Sequence, residues 1–348
     1  MGKNVMLTAL KQIDFEEYED KPLAAKEVRI QTLYSGISAG TELTAYRGSN
    51  PYLHKRWNAE THLFLTEKGA SVSYPMGAWG YEESGKVIEV GSHVTKVKIG
   101  DLIYGAWGHR TATVMDEDKA AGQMFPVLLD PILGIFSRIG ATCLNGVHDA
   151  AIRIGETVAV FGLGTVGQMV AQLAKRSGSQ VIGVEPNPMR LAMAIGLGGV
   201  DIGLDPGQVK VAERIKSLTE NRGADVCIES SGYYPALHEA IRSASYSAKV
   251  VALGFFQGQG EGLYLGDEFH HNRINLVCSQ IYGVSPELTY RWNDQRQAAT
   301  LMQLQADGTI NLRPIITHVI PFSEAAEAFR MCDCESEKTI QVVLDFTQ

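Results

Sequence analysis

The residues with the clearest chemistry are three glycines that follow an apolar segment. They form the pattern Gly162-x-Gly164-x-x-Gly167 directly after Thr157-Val-Ala-Val-Phe161. The pattern predicts a buried strand, a tight turn at Gly162 and a helix over 165–177, whose first N–H groups can bind phosphates. Gly164 lets the backbone approach a pyrophosphate, and Gly167 lets the helix pack closely on the strand. The predicted dinucleotide-binding residues of this turn are Gly162, Gly164, Thr165, Val166 and Gly167.

An acid after the second predicted strand indicates which dinucleotide is bound. The segment Gln180-Val-Ile-Gly-Val runs into Glu185, whose carboxylate can accept hydrogen bonds from both ribose hydroxyls and would repel a 2′-phosphate. We therefore expect NAD rather than NADP. Arg190 could still reach a phosphate, which keeps NADP open as the less favoured cofactor. Gly254, at the end of a later predicted strand, completes the predicted cofactor site.

The charge and composition of the chain exclude several classes of partner. The 348 residues carry a formal net charge of −8, which argues against nucleic acid or an anionic membrane as the main partner. No apolar run approaches the roughly 20 residues needed to cross a bilayer. The first residues lack the apolar core of a signal peptide, and the five cysteines are scattered. We expect a cytoplasmic protein with free thiols that acts on a small molecule.

The patterning along the chain predicts two domains. Residues 1–125 contain short apolar segments cut by Gly, Pro and Asp turns, which is typical of a β-rich fold. From 140 to 283 strand and helix patterns alternate, which indicates a doubly wound parallel sheet. The tail has one helical stretch over 296–306 and a final strand. We predict an α/β protein with a discontinuous β-rich catalytic domain over 1–139 and 284–348, and a Rossmann domain over 140–283.

Further motifs accompany the glycine turn along almost the whole chain. They are Gly36-Ile-Ser-Ala-Gly-Thr-Glu42, Gly80-Tyr-Glu-Glu-Ser-Gly85-Lys-Val, Gly100-Asp-Leu-Ile, Pro314-Ile-Ile-Thr-His and Pro321-Phe-Ser-Glu-Ala-Ala-Glu-Ala-Phe. Together with the glycine turn they resemble the medium-chain dehydrogenase/reductase superfamily, which includes the zinc-containing alcohol dehydrogenases. The resemblance implies a GroES-like catalytic domain, a Rossmann domain and a nicotinamide-dependent oxidoreductase.

The chain departs from this family at the positions that hold the catalytic zinc. Ser38 stands where the zinc enzymes carry a cysteine, with one extra residue before Thr41, and Tyr81 stands where they carry a histidine. The third ligand would fall near Ser137, or near Asp130 if it is a carboxylate. Zinc prefers thiolate, imidazole or carboxylate in a tetrahedral array. The four-cysteine structural lobe is also missing, since no cysteine precedes Cys143, and we expect an enzyme without zinc.

The variant motifs also resemble one subgroup of the superfamily. Ser-Gly-Ile-Ser-Ala-Gly-Thr-Glu over 35–42 and Gly-Tyr-Glu over 80–82 are similar to those of a zinc-free subgroup that includes the bacteriochlorophyllide a dehydrogenases. Those enzymes oxidise a secondary hydroxyl on a bulky ring. The similarity rests on two short motifs, so the tetrapyrrole substrate is not carried over.

Without a metal, alcohol oxidation needs side chains that remove the hydroxyl proton and stabilise the developing alkoxide. Tyr81, at the position of the missing histidine ligand, and Thr41, which aligns with the proton-relay hydroxyl of the zinc enzymes, are the first two catalytic candidates. Glu82 is the third, as a base or as a structural acid. The alternatives are that Tyr81 is a pocket wall, Thr41 a cap hydroxyl and Glu82 a structural anchor.

Ser38 and three aromatic residues are the candidates for the substrate pocket. Ser38 has no histidine near it in sequence that could make it a nucleophile, so we expect it to line the pocket. Tyr52, Trp57 and Trp79 could stack on a ring-shaped substrate. The alternative is a solvated loop with aromatic anchors.

These features together predict a zinc-independent oxidoreductase. It would transfer a hydride between NAD and a secondary alcohol or ketone of a ring-sized substrate, such as a sugar or cyclitol. Two alternatives remain, an NADPH-dependent quinone or enone reductase and a catalytically silent nucleotide-binding protein. The apolar strand over 274–279 predicts pairing across a two-fold axis, as in the relatives, and so a homodimer or homotetramer.

Overall fold

The computed structural model describes residues 1–65, 69–77, 79–279 and 283–348. They form two compact units, of which the first is Met1–Arg138 with Ile316–Gln348 and the second is Ile139–Ile315. None of the helices within these described ranges is both long and apolar enough to span a membrane.

The described residues contain sixteen strands and nine α-helices. The strands are β1 (Gly2–Ala9), β2 (Gln12–Tyr18), β3 (Glu27–Ile37), β4 (Arg56–Asn58), β5 (Leu63–Leu65), β6 (Glu83–Val90), β7 (Leu102–Gly105), β8 (Ala112–Asp116), β9 (Thr157–Phe161), β10 (Gln180–Val184), β11 (Ile202–Leu204), β12 (Ala224–Glu229), β13 (Ala244–Ala252), β14 (Asn275–Cys278), β15 (Ile316–Pro321) and β16 (Gln341–Asp345). The helices are α1 (Glu42–Tyr46), α2 (Glu117–Ala121), α3 (Phe136–Ala150), α4 (Thr165–Arg176), α5 (Pro188–Gly196), α6 (Val211–Leu218), α7 (Tyr234–Ser243), α8 (Asp294–Ala306) and α9 (Ala325–Cys334).

A six-stranded mixed sheet and two hairpins build the first unit. The sheet has the order β15-β16-β3-β6-β7, with β8 also paired to β3, and the hairpins are β1-β2 and β4-β5. β3 and β6 run antiparallel, with Ser35 opposite Glu83. The end of β3 therefore lies next to the start of β6. This register brings Ser38 and Tyr81 together, although they are 43 residues apart in sequence.

The second unit is a six-stranded sheet of parallel strands with helices between them in sequence. Its order is β11-β10-β9-β12-β13-β14, so β9 and β12 lie at the centre. Every residue of β9 is buried, because a doubly wound sheet is covered on both faces. The predicted fold class, a β-rich unit and a Rossmann-type parallel sheet, is confirmed.

The segment that follows the parallel sheet differs from the prediction. The sequence pattern predicts that residues 284–315 belong to the β-rich domain. They belong instead to the second unit, which extends to Ile315. The Gln297 amide of α8 donates to Asn145 Oδ1 of α3 at 3.1 Å, and the Asn311 N–H donates to Gln172 Oε1 of α4 at 2.8 Å. Periodicity locates such a helix, but the unit it joins depends on these contacts.

The C-terminal tail also contains a helix that periodicity did not predict. Helix α9 has buried residues at Ala325, Ala328, Phe329 and Cys332, spaced three and four apart. These side chains join a core cluster that includes Leu43. The helix is only ten residues long and has no side-chain cap at its N-terminus, so it lacks the usual start signal.

Candidate active site

The glycine turn after β9 has the geometry that its sequence predicts. Gly162 has a φ of 83°, and a Cβ on Gly167 would lie 1.8 Å from the Gly162 carbonyl oxygen. Both positions therefore exclude a side chain. A Cβ on Gly164 would meet nothing closer than Arg190 Nη1, at 3.9 Å. The turn is open at Gly164 and leads into α4 at Thr165, so these residues fit a bound pyrophosphate.

The carboxylate of Glu185 is held against this turn. Glu185 is 4% exposed, its Oε2 accepts the Leu163 N–H at 2.7 Å and its Oε1 accepts the Asn187 N–H at 3.0 Å. Each oxygen keeps a second acceptor site for a ribose hydroxyl. The preference for NAD that rests on Glu185 stays a prediction.

The side chain of Gln168 joins the glycine turn to the start of α5. Its amide nitrogen donates to the Leu163 carbonyl at 3.0 Å and to the Arg190 carbonyl at 2.8 Å. Arg190 is thereby fixed close to Gly164. Its guanidinium is placed to meet a negative charge at the turn, which is compatible with either dinucleotide.

Gly254 follows β13 and packs against a neighbouring turn. A Cβ there would lie 2.2 Å from the Gly232 nitrogen and 2.8 Å from Glu229 Oε2. Close packing therefore accounts for the glycine, and its contact with a cofactor stays a prediction. Sequence reasoning missed Glu229, although an acid that ends an apolar strand was a visible signal.

Three hydroxyl groups form a chain in the first unit. Ser38 Oγ lies 2.5 Å from Tyr81 Oη, and Tyr81 Oη lies 3.4 Å from Thr41 Oγ1. Ser38 is buried, Tyr81 is half-buried and Thr41 is exposed. The structure thus brings together two predicted catalytic residues and one predicted pocket residue. The chain can carry a proton between a buried hydroxyl and the surface.

The phenol of Tyr81 is held in its neutral form. Burial, followed by the nearby Glu82 carboxyl, raises the pKa of Tyr81 far above its ordinary value, against the lowering effect of the hydrogen bonds to Ser38 and Thr41. A neutral phenol both donates and accepts a hydrogen bond. Tyr81 is therefore a proton relay or a donor to a carbonyl oxygen, and not a standing phenolate base.

A buried ionic network lies beneath this chain. The Ser38 N–H donates to Glu42 Oε1 at 3.1 Å, and Glu42 Oε2 lies 2.7 Å from His109 Nε2. His109 Nδ1 lies 2.7 Å from Ser35 Oγ, whose proton is donated to Glu83 at 3.1 Å. With Glu83 ionised, Ser35 must accept from His109, and both ring nitrogens then carry protons. The network fixes the backbone that presents Ser38.

Opposing effects act on the pKa of His109 and of its acidic neighbour Glu83. Burial lowers the pKa of His109, but the Glu42 and Glu83 carboxylates outweigh it and the net pKa is raised. Burial also raises the pKa of Glu83, against the effect of the imidazolium. Gly80, with a φ of 106°, lets the chain pass close to this ring, since a Cβ there would lie 2.8 Å from it.

Glu82 is buried and is held by a contact with the final strand, β16. Its Oε2 accepts from the Gln341 amide at 3.2 Å, and a Cβ on Gly36 would lie 2.5 Å from the same oxygen. Burial, with Glu42 and Glu83 nearby, raises the pKa of Glu82 well above its usual value. These contacts favour the anchoring role over the predicted role as a base.

The predicted aromatic pocket residues occupy two different places. Trp79 is a core residue that stacks on Phe329 at 4.8 Å, so its prediction as a pocket wall is not supported. Tyr52 and Trp57 lie with Phe64 around the β4-β5 hairpin, at ring distances of 5.2 and 4.9 Å. They form an exposed aromatic cluster.

The residues present do not fit a catalytic zinc at the family position. Ser38 and Tyr81 offer hydroxyl groups that already bond to each other, and the Asp130 carboxylate accepts the Ile132 N–H as the cap of the helical turn Pro131–Ile135. Across residues 1–65, 69–77, 79–279 and 283–348, one group of three side chains lies close enough to share a metal ion, namely His238, Asp267 and Glu268. Glu268 is ion-paired with Arg242, and the group belongs to the other unit.

Comparisons with known proteins agree with the fold. The family model described as zinc-binding dehydrogenase matches residues 165–311. D-guloside 3-dehydrogenase of Escherichia coli K12 is 31% identical and covers 99% of this chain and 100% of its own. A solved structure assigned as a zinc-binding dehydrogenase of Sinorhizobium meliloti 1021, bound to NADP, superposes with a TM-score of 0.79 at 22% identity over 99% of both chains. The 2R,3R-butanediol dehydrogenase of Bacillus subtilis gives 0.78 at 20% identity over 99% of both chains.

The β-rich unit, the doubly wound unit and the similarity to a named dehydrogenase over nearly the whole chain define a nicotinamide-dependent dehydrogenase. The chain belongs to the zinc-binding dehydrogenase family of the medium-chain dehydrogenase/reductase superfamily. It is an NAD(P)-dependent oxidoreductase of the alcohol dehydrogenase type.

Proposed function

We propose that this enzyme oxidises a secondary hydroxyl on a sugar-like ring with NAD and without a metal. The observation that carries the proposal is the hydroxyl chain Ser38–Tyr81–Thr41. By the family resemblance, Ser38 and Tyr81 correspond to two of the zinc ligands and Thr41 to the proton relay. Loss of a Lewis acid requires hydrogen-bonding groups that act on the same oxygen. Tyr81 is the half-buried member that a substrate hydroxyl can reach.

The hydroxyl chain supplies a route for the proton. The residues of the glycine turn would hold NAD, and the cofactor would supply the acceptor for the hydride of the carbon that carries the hydroxyl group. The hydroxyl proton passes to Tyr81 Oη as the phenol proton passes to Thr41 Oγ1. Thr41 is exposed, so water can take the proton from it. In the reverse direction Tyr81 donates to the ketone oxygen.

The proposed substrate class rests on the relatives and on the aromatic cluster. The E. coli relative is named for oxidation at carbon 3 of a D-guloside, and sorbitol dehydrogenase of Halalkalibacterium halodurans is 24% identical. Tyr52 and Trp57 present exposed rings that can stack on the apolar face of a sugar. A glycoside would meet both features. None of the five cysteines, which all lie within the described residues, forms a disulfide, and this suits a reducing cytoplasm.

The test is a spectrophotometric assay at the reduced-nicotinamide band. Purified enzyme is given NAD or NADP with D-gulosides, other hexosides, cyclitols and aryl alcohols, before and after dialysis against a chelator. We expect NAD-dependent oxidation of one glycoside class, unchanged by the chelator, and less than one zinc per chain in elemental analysis. Activity lost with the metal would overturn the metal-free proposal. Turnover confined to enones with NADPH would instead support a quinone or enone reductase. NADH binding without turnover of any compound would support a catalytically silent nucleotide-binding protein.

A further inference from the structure

We propose that Glu229, a buried acid at the end of β12, positions the glycine turn and thereby sets the affinity for the dinucleotide. It acts through the turn Ser230–Gly232 and not by touching the cofactor, so it is a positioning residue. The inference rests on the proposed binding of the dinucleotide at Gly162–Gly167.

The location of Glu229 is unusual for a charged side chain. It lies at the carboxyl end of a central strand, opposite Phe161 of β9 and Ala252 of β13, and its exposure is 0%. A carboxylate at such a place is costly unless its oxygens are hydrogen-bonded. Burial raises the pKa of Glu229 to about 7 in spite of its hydrogen bonds. Such buried, perturbed groups concentrate at functional sites.

The carboxylate of Glu229 accepts hydrogen bonds from the turn that directly follows β12. Glu229 Oε1 accepts the Ser231 N–H at 2.8 Å and also the Ser231 hydroxyl, while Oε2 accepts the Gly232 N–H at 3.0 Å. Three donors from two consecutive residues therefore converge on one side chain. These bonds fix the backbone of Ser230–Gly232 relative to the sheet.

The turn Ser230–Gly232 in turn contacts the glycine turn that follows β9. The Ser230 hydroxyl donates to the Phe161 carbonyl at 3.0 Å and to the Gly162 carbonyl at 2.7 Å. A Cβ on Gly162 would lie 2.7 Å from the Cβ of Ser231. The peptide that begins the cofactor turn is thus in contact with the turn that Glu229 fixes. Gly254 closes the other side, since a Cβ there would strike Gly232.

The experiment compares NADH affinity and turnover in matched variants. Glu229→Gln removes one acceptor and the charge while it keeps the shape. Ser231→Ala removes one of the three donors at an exposed position, so it tests the same contact with little risk to folding. Asp225→Asn is the control, because Asp225 lies at the opposite end of β12, where its carboxylate accepts the Thr157 N–H at 2.8 Å. Gly164→Val tests the cofactor turn itself.

We expect the Kd for NADH, measured by fluorescence titration, to rise about tenfold in Glu229→Gln and a few-fold in Ser231→Ala. Turnover at saturating NAD should stay within about twofold, since the hydrogen bonds of Glu229 go to the turn that follows β12. Asp225→Asn should bind NADH normally even if its Tm falls. Normal affinity in both Glu229→Gln and Ser231→Ala, with weak binding in Gly164→Val, would overturn the role of Glu229. Normal affinity in Gly164→Val would overturn the cofactor assignment itself.

Discussion

The phenol of Tyr81 is the residue on which the proposed chemistry depends. It lies between a buried serine and an exposed threonine, at 2.5 and 3.4 Å, and its environment keeps it neutral. A metal would stabilise the developing alkoxide by charge. A neutral phenol stabilises it by a hydrogen bond whose proton can move along the chain.

Replacement of Tyr81 by phenylalanine removes the hydroxyl and keeps the ring. We expect kcat to fall by about 10²–10⁴, the range for loss of a positioned proton donor, while the Kd for NADH is unchanged. Steady-state kinetics and NADH titration on the same preparation measure both quantities. Thr41→Ala should lower kcat by less, because the phenol remains to bond to the substrate oxygen. Full turnover in Tyr81→Phe would reduce Tyr81 to a pocket wall.

The raised pKa of Glu82 leads to a prediction of how the stability of the enzyme varies with pH. Its folded-state pKa is raised above the unfolded value by burial and by Glu42 and Glu83, so the folded state binds its proton more tightly. That contribution is fully present below the unfolded pKa and is lost as pH rises toward the folded pKa, at up to about 1.4 kcal/mol per pH unit.

Glu82→Gln keeps an acceptor for Gln341 and cannot ionise. Compared with the wild type, we expect it to be more stable above neutral pH and to lose less stability between pH 5 and pH 8. Urea unfolding at a series of pH values gives both comparisons. A variant that is less stable than the wild type at pH 8 would contradict the raised pKa.

Among the elements, the strand-turn-helix over 157–176 was predictable and the first-unit site was less so. β9 and α4 match the predicted strand and helix because the glycine spacing and the 3.6-residue period are local signals. The contact between Ser38 and Tyr81 depends on the register between β3 and β6, which no local sequence pattern predicts. The family resemblance supplied both residues, but not the network of His109, Ser35 and Glu83 beneath them. Trp79 is predicted to line the pocket but lies in the core, because residue type alone does not distinguish a buried core ring from a ring that lines a pocket.

Glu185, which follows β10 and accepts the Leu163 N–H of the glycine turn, leads to a prediction of which cofactor the enzyme prefers. Glu185→Gln removes the charge that would repel a 2′-phosphate and keeps one acceptor oxygen. We expect the ratio of kcat/KM with NAD to that with NADP to fall about tenfold, through better use of NADP. The cost of losing a bond to Leu163 or Asn187 should lower activity with both cofactors equally. Asp225→Asn is again the control, and an unchanged ratio in Glu185→Gln would remove the argument for NAD.

For the molecule as a whole, the outer strand of the parallel sheet predicts an assembly. Among the described residues, β14 pairs with β13 alone, and Leu276 on it is 38% exposed. An apolar sheet edge without a partner invites pairing with another chain. A second copy related by a two-fold axis can supply the same edge, because such an interface is self-complementary.

We therefore expect light scattering after size exclusion to give the mass of two or four chains at micromolar concentration. Leu276→Asp places like charges near one another across the two-fold axis and should shift the mass toward one chain. Ile154→Asp is the matched control, because Ile154 is an exposed apolar residue of the same unit, at 89%, outside the sheet edge. A wild-type monomer would contradict the assembly, and equal dissociation in both variants would show that β14 is not the interface.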